Sequence, residues 1–387
     1  MPTAELSHEA LSTREIALPA RPRLHFLDGI RGLAAFLVVL HHMWTHSFLR
    51  APAMDYPLWF RAFSFLKYGH HLVAVFIVLS GFCLMLPVVM AGGVMKNGVM
   101  GYIKRRARRL LPPYYAALAL SAALLLFFPS TRIDDGAIYG AYHRDDMAGS
   151  FIAHLFLVHN LWPNWASRID GPMWSVATEW QIYFVFPFVL LPLWRKWGYA
   201  APIAIGIALG LAVLNTFLRE ASFWYIGLFA MGMAACGVCF TPEGANKPQS
   251  WPWLWGAGAL ALGATAGTAY GSTVLTGPCV DIACGVLTAS LLIYCTRRSV
   301  VPENCAPLIM RILSSRPIVA LGNISYSLYL THFPLLLMAE RWAEPRQFRA
   351  SVNFEIYAVF LLPLMLLFAY LFHRVFEKPF LNSPNKR

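Results

Sequence analysis

The chain is punctuated by apolar runs of about 20 residues, and no other feature restricts its fold as severely. A helix of that length matches the hydrocarbon thickness of a bilayer, and only a helix satisfies its own backbone hydrogen bonds there. Ten runs are read: 31–49, 72–91, 110–129, 174–194, 199–217, 221–240, 251–271, 275–296, 318–339 and 354–373. The expected fold class is an all-α membrane protein of about ten transmembrane helices. Composition points the same way. The 387 residues are 58% hydrophobic and only 13% charged, where a soluble domain carries roughly 25% charge. Too little polar surface remains to wrap a soluble globule of this size, which excludes a soluble enzyme, a disordered regulator and a small disulfide scaffold.

The net charge of +12 is read as basic residues retained at the cytoplasmic face rather than as a nucleic-acid footprint, so no nucleic-acid partner is expected. Ten spans with a cytoplasmic N-terminus place 20 Lys and Arg inside and 10 outside, with Arg31 within the first span. Counting Ser150 to Pro163 as a further span gives 14 inside and 16 outside. That 14-residue segment, which carries His154 and His159, is therefore read as re-entrant or interfacial, and both termini as cytoplasmic. The expected organisation is a cytoplasmic tail over 1–29, an integral membrane domain over 30–381 with an external segment 130–172, and a cytoplasmic tail over 382–387. No removable signal and no second folded domain are read. Cys83, Cys236, Cys239, Cys284 and Cys295 lie in apolar runs, where a thiol acts as a small hydrophobe. The Cys236-Gly-Val-Cys239 spacing lacks the strand context of a redox or zinc site, and no metal site is assigned.

Ionisable residues at membrane depth are costly and direct attention to function. In the first span, Arg31 and His42 are eleven residues apart. At about 100° per residue they share a face to within about 20°, roughly 16 Å apart, whereas His41 points about 80° away. His42 is the expected inward partner of Arg31; a structural histidine and a snorkelling arginine are the alternative. Lys104, Arg105, Arg106, Arg108 and Arg109 precede the third span. They can fix topology, hold anionic lipid, or recognise a cytoplasmic phosphate ligand, with Arg106 and Arg109 one helical turn apart. Glu179, about one and a half turns into the fourth span, must be paired or protonated. His332, two residues before Pro334, suits a satisfied structural role as well as a catalytic one.

With these residues in hand the chain resembles a family. Leu27-Asp-Gly-Ile-Arg-Gly-Leu-Ala-Ala with His42, Phe76-Ile-Val-Leu-Ser-Gly-Phe82, Arg106-x-x-Arg109 before Pro112 and Tyr114, Trp174-Ser175 with Glu179, Ser325-Tyr-Ser-Leu-Tyr-Leu-x-His332-x-Pro334, and Glu377-Lys-Pro-Phe380 are similar, in order, to the acyltransferase-3 family of integral membrane O-acyltransferases. The similarity runs from about residue 25 to 381. It implies transfer of an acyl group, expected to be acetyl, from cytoplasmic acyl-CoA to a hydroxyl of a sugar, glycolipid, polysaccharide or related acceptor, in a bacterial plasma membrane. It also implies that Arg31 with His42 is central to activity and that Arg106 and Arg109, with Arg105 beside them, bind the acyl donor. His42 would act as general base, and Asp28 or Glu179 could orient it or stabilise its imidazolium. A proton-coupled transporter or lipid flippase, using the same buried His and Glu as a relay, is the competing class; it would call for broken helices in matching halves, which the sequence does not display. A receptor or scaffold would leave Arg31, His42 and Glu179 without a purpose in lipid.

Overall fold

The computed structural model describes residues 24–48, 57–127, 147–241, 276–299 and 306–381, with six further positions between 256 and 263. Among these residues the regular structure is entirely helical. The expected span at 251–271 lies mostly outside them, as do 1–23, 130–146 and 382–387. Helix α1, His25–Phe48, starts inside the segment read as a polar tail, because Leu24, Phe26 and Ile30 are buried and draw the chain into the bundle. A five-residue helix α2, Leu58–Ala62, continues through tighter turns into α3, Val73–Val89. Helix α4, Gly98–Phe127, begins twelve residues before the expected apolar span at 110 and carries the whole basic cluster on its first turns.

After α4 comes α5, Met147–Leu155, whose nine residues are too few to cross a bilayer. Helix α6, Met173–Val185, widens by one turn around Pro187 and resumes as α7, Leu191–Trp197. Helix α8, Ala200–Ala212, has 13 residues, shorter than the run read at 199–217. Helices α9, Trp224–Phe240, and α10, Thr276–Arg298, follow. A short α11, Leu308–Leu313, leads into α12, Arg316–Ala343, and the chain closes with α13, Ala350–Ile356, and α14, Leu362–Phe372. Seven helical stretches among the described residues are long and apolar enough to span a membrane. Helix α12 has the length, 28 residues, but buries Ser325, Ser327, Thr331, His332 and Glu340, and its polarity removes it from that group.

Bundles in lipid lack a hydrophobic force between helices, so close approach through small residues holds them together. Helices α1 and α12 run parallel and touch backbone to backbone. A side chain on Gly32 would meet the Gly322 nitrogen at 2.5 Å and one on Gly322 the Asp28 carbonyl at 2.0 Å, while one on Gly29 would meet the Leu313 carbonyl at the end of α11 at 1.9 Å. The α3–α9 seam is built the same way, with Gly81 against the Phe229 carbonyl and Gly232 against that of Val78. These two seams set the α1/α12 pair beside α3, α4 and α6, and the polar residues collect between them.

Candidate active site

Arg31 lies on the second turn of α1 and contacts Asp28, Nη1 to Oδ1 at 3.2 Å, the (i, i+3) pair a helix brings together. Because α4 is already helical at 98, Arg106 and Arg109 project on one face, and both line a cavity that Arg31 also lines. The cavity, its open mouth included, spans about 880 Å³ of non-atom space between α1, α3, α4, α6 and α12. Its wall carries the three arginines and the hydroxyls of Ser80, Ser175, Tyr183, Tyr326 and Tyr329 among apolar side chains. Arg106 Nε is buried there, and none of the described residues accepts a hydrogen bond from it. A buried donor without an acceptor costs about 1–3 kcal/mol, so a ligand that supplies one gains that much.

Glu179 lines the same cavity. It accepts hydrogen bonds from Ser80 Oγ at 2.5 Å and Tyr183 Oη at 2.6 Å, which is how the fold accommodates a carboxylate at this depth. Further along the wall, Ser175 Oγ and Tyr329 Oη stand 2.6 Å apart and reach the Pro172 carbonyl at 3.0 and 3.1 Å. Tyr329 then leads out of the cavity to His332, ring to ring at 5.8 Å.

His42 stands at this end. Its Nδ1 lies 3.1 Å from His332 Nε2 and 3.1 Å from the Val38 carbonyl, and the Phe333 ring packs edge-on at 5.4 Å. His41 faces away from the cavity and donates from Nδ1 to the Leu66 carbonyl at 2.6 Å, with Gly69 against its ring. His46, one turn above His42, bonds Glu340 at 2.9 Å.

Of the residues read from the sequence, the structure brings Arg31, Arg106, Arg109 and Glu179 to one cavity and sets His42 beyond its far end. Asp28 is engaged by Arg31 at the opposite end of α1 from His42, and Glu179 by Ser80 and Tyr183. Arg105 is adjacent to Arg106 on a helix, hence turned about 100° from it, and is not among the cavity's lining residues. Sequence reasoning also did not pair Ser80 with Glu179 or His332 with His42, although all four stood in the motifs it singled out.

Among the described residues, three arginines, a carboxylate and several hydroxyls thus meet in one cavity of a helical bundle, with a buried histidine pair beyond it. The chain belongs to the acyltransferase-3 family, whose profile, described as an acyltransferase domain, matches residues 24–374. It is 23% identical over 401 aligned positions to the acyltransferase MdmB of Streptomyces mycarofaciens, covering 95% of this chain and 94% of that one. It is 22% identical to the peptidoglycan O-acetyltransferase OatA of Listeria monocytogenes, over 81% of this chain and 49% of the relative. With a membrane-bound transacylase, BcsY, of Komagataeibacter xylinus it shares 25% identity over 81% of this chain and 73% of the relative. No solved structure matches. The protein is thus a membrane acyltransferase acting on groups other than aminoacyl groups.

Proposed function

We propose that this acyltransferase moves an acyl group, acetyl in the simplest case, from cytoplasmic acyl-CoA to a hydroxyl of a carbohydrate, glycolipid or polysaccharide acceptor. The observation that carries the reading is the cavity with Arg31, Arg106 and Arg109 at one end. Coenzyme A is anionic at its nucleotide end and carries the thioester on an extended arm. Arg31 and His42 are eleven residues apart on one helix, a rise of about 16 Å, so arginines and histidine can attend opposite ends of one donor. Guanidinium forks suit phosphate oxygens, and their bonds are charge-assisted.

In the transfer, the acceptor oxygen attacks the thioester carbon as His42 takes its proton. A carbon–oxygen bond forms, the carbon–sulfur bond breaks, and the proton passes to the departing thiolate, releasing free coenzyme A. The donor enters from the cytoplasm and the acceptor from the opposite face of a multi-pass protein whose termini are both cytoplasmic, in the plasma membrane of a bacterium. The relatives support a hydroxyl acceptor, since one is named for O-acetylation of peptidoglycan.

The test is release of coenzyme A thiol by purified protein in lipid nanodiscs supplied with acetyl-CoA, with and without peptidoglycan fragments, other polysaccharide fragments or glycolipids. Acceptor-dependent release is expected. Uptake of a proton or lipid without thiol release would show a transporter instead.

A further inference from the structure

The histidine that meets His42 has no part in the scheme above, yet its hydrogen bonds dictate the state of the base. His332 is fully buried in α12. Its Nδ1 faces two backbone carbonyls, Tyr329 at 2.7 Å and Leu328 at 3.2 Å. Carbonyls only accept, so Nδ1 carries the hydrogen, and Nε2 of the neutral ring is left with a lone pair. That lone pair is 3.1 Å from His42 Nδ1. His42 Nδ1 faces a second acceptor, the Val38 carbonyl. With an acceptor on each side, His42 Nδ1 must carry hydrogen too, which leaves His42 Nε2 as the nitrogen free to take a proton.

We propose that His332 is a positioning residue that holds His42 in the Nδ1–H tautomer and so presents the Nε2 lone pair to the acceptor hydroxyl. The inference rests on the acyl-transfer reading and deepens it. The Val38 carbonyl, which also accepts the backbone N–H of His42, and the His332 lone pair both face Nδ1 at 3.1 Å, so His332 adds a second acceptor to the one the helix supplies. The other groups facing His42 are the rings of His41 at 4.8 Å, His46 at 6.5 Å and Phe333 at 5.4 Å. Behind them stand His70, 5.5 Å from His41, and Glu340, bonded to His46. His41 and His46 have their Nδ1 atoms committed elsewhere, to Leu66 and Glu340.

As the acceptor O–H bond breaks, a new N–H bond forms on His42 Nε2 and the ring becomes an imidazolium. Its Nδ1–H bond to His332 then becomes charge-assisted, so it strengthens as the transition state is approached. When the proton leaves Nε2 for the thiolate sulfur, both rings return to their starting states. His332 gains and loses nothing. An interaction that strengthens this way acts on kcat and leaves substrate binding alone. Because Tyr329 both accepts from His332 through its carbonyl and lines the donor cavity with its side chain, one helical turn joins the donor site to the base.

Two substitutions separate positioning from mere packing. His332→Gln keeps a donor for the Tyr329 carbonyl and an acceptor for His42 Nδ1–H; His332→Leu keeps bulk and removes both. His332→Leu should lose about 10- to 100-fold in kcat with donor KM unchanged, the worth of one charge-assisted hydrogen bond, and His332→Gln should recover most of the loss. Nitrogen NMR of 15N-histidine-labelled protein, with the His42 signal assigned through His42→Asn, reads the tautomer without any turnover. It should show the Nδ1–H form in wild type and in His332→Gln, and a mixture in His332→Leu. Equal kcat in wild type and His332→Leu, equal loss in both variants, or an unchanged His42 tautomer in His332→Leu overturns the proposal. The NMR result stands even if acyl transfer proves to be the wrong reaction, so the two failures are told apart.

Discussion

Replacing Gly322 with alanine tests whether the glycine seam between α1 and α12 sets the site. The new Cβ would lie 2.0 Å from the Asp28 carbonyl oxygen and 2.6 Å from its carbon, both backbone atoms that cannot swing aside, whereas ordinary contact begins near 3.4 Å. Relief requires the helices to part by about 1.4 Å. Carried along two stiff helices, that shift opens the His42–His332 contact from 3.1 Å to as much as about 4.5 Å, beyond hydrogen-bond range. Losing a bond of this kind costs about 1.5–3 kcal/mol, or roughly 10- to 150-fold in kcat. Overpacking should also cost about 1–3 kcal/mol of stability. The assay is acceptor-dependent coenzyme A release, with thermal unfolding alongside. Gly277, whose added Cβ would meet nothing within 4 Å, supplies the control, and Gly277→Ala should leave kcat intact. A Gly322→Ala protein with wild-type kcat would show that the seam does not set the histidine geometry.

Further outcomes follow from individual residues. His42→Ala should abolish transfer in a protein that still inserts, and His41→Ala should be milder because His41 is tied to the Leu66 carbonyl; equal kcat values in the two would refute the assignment. Arg106→Gln with Arg109→Gln should raise donor KM about 10- to 100-fold and spare kcat, since charge-assisted phosphate contacts are worth about 1.5–3 kcal/mol in ground and transition states alike; a change confined to acceptor KM would place the donor elsewhere. Asp170, in the connection before α6, is held by burial with its carboxyl pushed up to about 7, against an opposing hydrogen bond from Ser121. The fold thus favours its neutral form, a stabilisation complete below about pH 4 and lost as pH rises through about 7. Thermal midpoints of wild type should therefore fall between pH 5 and pH 8 relative to Asp170→Asn, and parallel curves would refute this. Cysteines introduced at Asn97 and Asn164, both exposed, should react with an impermeant maleimide from opposite sides of sealed vesicles, the first from the cytoplasmic side.

The parts of this molecule that were readable in advance are those with local signals. Length and apolarity announce α1, α4, α6, α9 and α10, because the bilayer tests each helix by itself. The same criterion misjudges elements whose neighbours do the work. The approach to α3 is helical from Leu58, well before its apolar run begins at 72. Helix α8 stops at Ala212, five residues short of the run's end. In the site, charges inside apolar runs single out Arg31 and Glu179, since the cost of burying them is visible without knowing their partners, and the basic cluster ahead of the third span singles out Arg106 and Arg109. Partners are another matter. Ser80 and Glu179 are 99 residues apart and His42 and His332 are 290 apart, and no periodicity within one helix encodes which helix lies opposite. The Asp28–Arg31 pair is the exception: three residues on one helix is contact distance, a local signal present in the sequence although the sequence reading instead offers Asp28 to His42.

The seam and the histidine pair are one device. Gly32 meets Gly322 where α1 and α12 touch, and His42 meets His332 ten residues further along each helix. Parallel helices rise by the same 1.5 Å per residue, so equal spacing brings the two rings level; ten residues also turn each helix about 80° away from the glycine contact, and the imidazoles themselves reach across to meet at 3.1 Å. An antiparallel pair would separate them by about 30 Å over the same count of residues. Arg31 precedes Gly32 by one residue and so lies at the level of the seam, about 16 Å below His42 along α1. The backbone contact that leaves no room for a side chain at 322 thus sets the register of α12 against α1 at which the two histidines are level.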